Sequence, residues 1–115
     1  MNVFIIYILI VFASDCIEMY IKPNTTAEVV CPYKGNKKEP ITWKKAHKHL
    51  GAGDRVDDRV DDGEGKFRIS GSYGPGKSIL QIINFNACDE DMYRCSAIIG
   101  EQLLEQFFNI YMCGK

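Results

Sequence analysis

From Ile17 onward, no stretch of this chain keeps a helical hydrophobic period. Short runs rich in β-branched and aromatic residues alternate instead with clusters of Gly, Pro, Asn and Asp, which is the pattern of an all-β domain. Strands are predicted near 17–21, 26–33, 40–45, 66–70, 77–84, 91–98 and 103–112. Lys22-Pro23-Asn24, Lys34-Gly35-Asn36 and Gly74-Pro75-Gly76 separate them. The last of these predicts a tight hairpin turn, with Gly supplying positive φ beside a φ-locked Pro. About seven short strands in roughly 100 residues predict a sandwich of two packed sheets.

The N-terminus belongs to a different class of segment. Val3 to Phe12 is an unbroken apolar run followed by Ala13-Ser14-Asp15-Cys16. It is about half the roughly 20 residues that a membrane-spanning helix needs, so it reads as the apolar region of a secretory signal peptide. Its n-region carries no Lys or Arg. Cleavage is expected after Ala13 or after Cys16, which gives a signal at 1–16 and a single domain over 17–115. The other reading of the run is a first core strand or buried helix. No second apolar stretch approaches spanning length, so no membrane span is expected after signal removal. Five cysteines in 115 residues suit an oxidising, extracellular compartment. Lys plus Arg at 14 against Asp plus Glu at 15 gives a net charge of −1, which argues against a nucleic-acid partner.

Spacing narrows the fold. Cys31 sits in the apolar run Ala27-Glu28-Val29-Val30-Cys31, Trp43 follows in Ile41-Thr42-Trp43-Lys44, and Cys95 closes Met92-Tyr93-Arg94-Cys95. This order of Cys, Trp, and Tyr two residues before a second Cys resembles the immunoglobulin superfamily. Phe67-Arg68-Ile69-Ser70, Ser78-Ile79-Leu80-Gln81-Ile82 and Asp89-Glu90-Asp91-Met92-Tyr93 are similar to the family's fourth, fifth and sixth strands. The resemblance implies a Greek-key sandwich with a Cys31–Cys95 disulfide pinning its sheets and Trp43 packed against the bridge. It also implies Leu80 in the core, Tyr93 bonded back to the backbone at the corner entering its strand, and an ion pair between Arg68 and Asp89. The interval from Trp43 to Arg68 leaves room for one or two extra strands, which makes the domain look variable-type. Val29 to Tyr33 also resembles immune receptors of the polymeric-immunoglobulin-receptor and CD300-like group, although Lys44 and Lys45 stand where that group carries a further Cys. The last strand lacks the Gly-x-Gly bulge of rearranged antigen-receptor chains.

A hairpin turning at Gly100-Glu101 would bring Cys88 opposite Cys113, which predicts a second disulfide across its base. Cys16 is left removed with the signal, free, or available to another chain. Asn24-Thr25-Thr26 is a glycosylation sequon in a predicted turn.

Sites for chemistry are few. His47 and His49 would share one side of a strand but have no third ligand nearby in sequence, so a solvated edge is preferred over a metal site. The acidic run from Asp54 to Glu64, with its repeated Arg-Val-Asp-Asp, lacks calcium-loop spacing and reads as an exposed loop or edge strand. Lys34, Lys37, Lys38, Lys44, Lys45 and Lys48 form a basic stretch, read as a solvated surface or a patch for an anionic glycan or acidic partner. Ser, His and acid residues fall in no recognisable catalytic order. No enzyme and no cofactor are expected.

The functional expectation is extracellular recognition of a protein partner, as an immune-type receptor, ligand or decoy. The alternatives are a truncated ectodomain of an immune or adhesion receptor, or a glycan-binding module. Alternation in the last strand points Leu104, Phe108, Ile110 and Met112 inward, and Leu103, Phe107 and Tyr111 outward. With Met92, Arg94 and Ile98 on the neighbouring strand, these predict an aromatic-rich face for a homodimer or heterodimer.

Overall fold

The computed structural model describes residues 16–58, 60, 65–73 and 77–114. The signal-peptide run up to Asp15, the Gly74-Pro75-Gly76 turn and most of the second half of the acidic run lie outside the described residues. The strands are β1 (Cys16–Ile21), β2 (Ala27–Val30), β3 (Thr42–Lys45), β4 (Lys48–Ala52), β5 (Arg55–Val56), β6 (Phe67–Ser70), β7 (Ile79–Ile82), β8 (Asp91–Ile99) and β9 (Gln102–Met112). A 3₁₀ turn over Ala87–Asp89 precedes β8.

Two sheets face each other. One has six strands in the order β1-β9-β8-β3-β4-β5, and the other has three in the order β2-β7-β6. Strict alternation makes the sandwich. Ala27 and Val29 on β2, Phe67 and Ile69 on β6, and Leu80 and Ile82 on β7 point inward, with more polar residues between them. They meet Trp43, Leu50, Tyr93, Cys95, Phe108 and Ile110 from the larger sheet. The Cys31–Cys95 disulfide joins the layers across 64 residues of chain. Trp43 stacks against Phe108 with ring centres 6.1 Å apart. Its indole N–H donates to Ser78 Oγ at 2.9 Å, so a fully buried donor is satisfied.

β8 and β9 form the longest ladder, running from Asp91–Ile110 to Ile99–Gln102. The two-residue turn between them needs a left-handed residue, and Gly100 supplies it at φ 67°. β1 pairs with β9 in parallel, an association between the two ends of the described chain. β4 and β5 fill the interval after Trp43. The segment Lys48-His49-Leu50-Gly51-Ala52 shows little strand character in sequence because it carries one large aliphatic residue and no β-branched one. Tertiary packing decides it. Leu50 is buried, and a Cβ on Gly51 would run into the Arg55 carbonyl and the Ile69 side chain. Among the described residues, no helix is long and apolar enough to cross a membrane.

Candidate interaction face

Tyr93 and Arg94 are consecutive on β8 and point to opposite sides of the sheet. Tyr93 is buried at the corner where the chain enters β8, and its hydroxyl donates to the Asp89 carbonyl at 2.6 Å. Burial pushes this phenol far above the ordinary tyrosine range, and the Asp89 and Asp91 carboxylates add to the shift. The hydroxyl therefore keeps its proton and stays a donor throughout the physiological range. Asn86 caps the 3₁₀ turn by accepting from the Cys88 N–H, while Asp89 Oδ2 accepts from the Asn86 N–H.

Asp89 is buried, and its cationic partner is Lys66, with Nζ 2.6 Å from Oδ2. The expected Arg68–Asp89 pair is not formed. Arg68 lies two residues further along β6, opposite Gln81, where alternation turns it to solvent. Lys66 stands just before the strand and also donates to the Asn84 carbonyl at 3.0 Å, so it is the residue at corner level. The expected Cys88–Cys113 bridge is likewise not formed, and Cys16, Cys88 and Cys113 are all unbonded. The hairpin register places Asp91 opposite Ile110 as the sequence predicts, but the ladder stops there. Cys88 is carried away in the capped 3₁₀ turn, and the Cys113 N–H bonds instead to the Ile21 carbonyl on β1.

On the other side of the six-stranded sheet, cross-strand pairing orders the outward residues into rows. Tyr20 of β1 meets Tyr111 of β9, stacked at 5.4 Å. Glu18, Asn109 and Met92 form the next row. Cys16, Phe107, Arg94, Lys44 and His49 form the one after it. Glu105, Ser96 and Thr42 follow, and Leu103 and Ile98 close the face at the hairpin tip. Leu103 is 60% exposed, Ile98 44% and Tyr20 63%. Large apolar side chains thus stand in water at both ends of one sheet face, with charges between them. Arg94 lies over the Phe107 ring, its guanidinium carbon 5.7 Å from the ring centre.

The expected outward residues Leu103, Phe107, Tyr111, Ile98 and Arg94 therefore fall on one face, joined by Met92. Tyr20 was missed by sequence reading. Its own alternation with Met19 and Ile21 was the available signal, but nothing local says that β1 lies beside β9. The basic stretch is split by β3, with Lys34, Lys37 and Lys38 in the loop before it and Lys45 and Lys48 around the turn after it. His47 sits in the turn, and His49 pairs with Asp57 at 3.5 Å between Nδ1 and Oδ2. Among the described residues, no group of three or more potential ligands could hold a metal ion. Asn24 is exposed in the β1–β2 turn at φ 64°, and its N–H is held by the Phe85 carbonyl.

Two sheets pinned by a Cys–Cys bridge over a buried Trp, with the Tyr hydroxyl closing the corner, decide the architecture. The fold is that of an immunoglobulin domain. Solved structures agree. Tim-1 superposes with a TM-score of 0.66 at 16% identity, covering 86% of this chain and 93% of that one. The Dpr1 IG1 domain, solved bound to DIP-eta IG1, gives 0.63 at 17% identity over 85% and 92%. The titin fragment Titin-A168169 gives 0.63 at 18% identity over 86% of this chain, which spans 46% of that fragment. No family model and no curated protein sequence matches this immunoglobulin-fold chain.

Proposed function

We propose that this chain is an extracellular recognition domain that binds a protein partner through the outer face of its six-stranded sheet and the adjoining hairpin tip, without catalysis. In this reading residues 1–16 are a secretory signal, 17–115 are a single variable-type domain, and Asn24 carries a glycan in the β1–β2 turn. The single observation that carries it is the exposed set Tyr20, Tyr111, Met92, Ile98 and Leu103 on one sheet face, with Phe107 half-buried among them. Interface cores are enriched in aromatic residues, Met and Arg, and depleted of Lys and Glu. That a domain of the same fold, Dpr1 IG1, is solved bound to another such domain supports a protein as the occupant. The buried disulfide suits an oxidising compartment.

The test is a variant carrying Leu103→Glu and Tyr111→Glu, secreted from eukaryotic cells. Self-association by sedimentation velocity, or binding to partner-bearing cells, should be lost while the thermal midpoint stays that of the parent protein. Association that survives both charges removes the face from consideration. A domain that no longer folds would show that these side chains are core.

A further inference from the structure

At one edge of the front face the β3–β4 turn leaves a groove of about 240 Å³ lined by Ala46, His47, Met92, Arg94 and Phe107. The Ala46 N–H donates to the Met92 carbonyl at 2.7 Å, which continues the β3–β8 ladder and holds the turn beside β8, and Ala46 contributes only a small side chain to the groove wall. Arg94 is the cation of this groove, and Lys44 is its cross-strand neighbour. Arg94 Nε is closed off from solvent and has no hydrogen-bond partner. Its charge partner Glu105 stays 3.6 Å away and accepts instead from Ser96 Oγ at 3.1 Å. About a quarter of the Arg94 side chain remains exposed, and that part is what a ligand would meet. Glu18 lies on β1, with β9 between it and Met92.

We propose that this groove receives the carboxylate of an Asp or Glu side chain of the protein partner, with an apolar residue beside that acid covering Met92 and Phe107. It rests on the front-face reading above and names what that face recognises. A guanidinium placed over an aromatic ring, with part of its side chain still open to solvent, suits a planar, singly charged acceptor. The groove, at about 240 Å³, is smaller than the roughly 300–1,000 Å³ of small-molecule sites, so it suits side chains presented by a protein rather than a free metabolite.

The experiment follows the Met92 methyl and Arg94 Nε–H resonances of the isotope-labelled secreted protein during titration. The probes are acetyl-Phe-Glu-amide, acetyl-Phe-Gln-amide and N-acetylneuraminic acid. The Glu peptide should bind in the millimolar range, about ten-fold or more tighter than the Gln peptide. Arg94→Lys should remove most of that preference, because a point charge lacks the guanidinium fork. Met92→Glu, at an exposed strand position, should abolish Glu-peptide binding without unfolding. Equal response to both peptides, or preference unchanged in both variants, overturns the proposal. Binding of the acidic sugar alone overturns it in favour of a glycan. Partner binding lost in the Leu103→Glu and Tyr111→Glu variant, yet intact in Met92→Glu and Arg94→Lys, removes the groove and leaves the interface standing.

Discussion

The corner below Tyr93 and the face above Arg94 are built from adjacent residues of one strand and obey opposite rules. At the corner, the buried Tyr93 hydroxyl has the Asp89 carbonyl, the Asp89 carboxylate has Lys66 and the Asn86 N–H, and Asn86 caps the turn. On the face, large apolar side chains stand in water and Arg94 Nε has no hydrogen bond. Groups satisfied within the chain hold the fold together, whereas the apolar side chains left in water and the exposed part of Arg94 are what a partner can cover. The two regions should therefore respond separately, with the inward side governing stability and the outward side governing association.

The largest separation is expected at Trp43. Trp43→Ala empties the space beside the disulfide and should cost about 3–5 kcal/mol, enough to unfold much of the population. Urea denaturation followed by circular dichroism measures it. A loss no larger than that of a surface substitution would mean the core does not depend on the indole.

Next comes a contrast between two cations of one segment. Lys66→Ala leaves the buried Asp89 without its charge partner and should cost about 1–2 kcal/mol, discounted from a fully buried pair because the lysine is partly exposed. Arg68→Ala should cost under about 0.5 kcal/mol, since its side chain faces solvent. The reverse order in paired denaturation curves would restore Arg68 as the partner of Asp89.

A further effect is a pH dependence at the corner. The folded-state pKa of Tyr93 is raised, so below about pH 10 both folded and unfolded chains hold the proton and nothing is lost. Above about pH 10 the unfolded chain releases it while the folded chain does not, and stability falls as pH rises. Tyr93→Phe should cost about 1 kcal/mol near neutral pH and should lose this component of the alkaline decline. Parallel curves for parent and variant from about pH 8 to pH 11 would show that Tyr93 does not titrate differently on unfolding.

The front face was legible in sequence wherever a local period carried it. Alternation in β9 separates Leu103, Phe107 and Tyr111 from Phe108 and Ile110, and the Gly100 turn sets the register that puts Met92, Arg94 and Ile98 beside them. The partner of Asp89 was not legible, because Lys66 and Arg68 lie only two residues apart, one just before β6 and one within it, and the position of the corner decides between them. The same register arithmetic placed Cys88 opposite Cys113, and it failed because a capped 3₁₀ turn, not a strand, precedes Asp91.

By itself the sequence determined the two-layer β architecture, the residues that fill it and the side of β9 that faces water, because strand alternation, turn residues and Cys–Trp–Cys spacing act through near neighbours and one long pairing. Only the tertiary structure decided that β1 lies parallel to β9 and adds Tyr20 to the face, that a segment with little strand character becomes β4 over Ile69, and that the β3–β4 turn lies beside Met92 and leaves a groove at Arg94. Each of these depends on contacts between segments far apart in the chain, where packing outweighs local propensity.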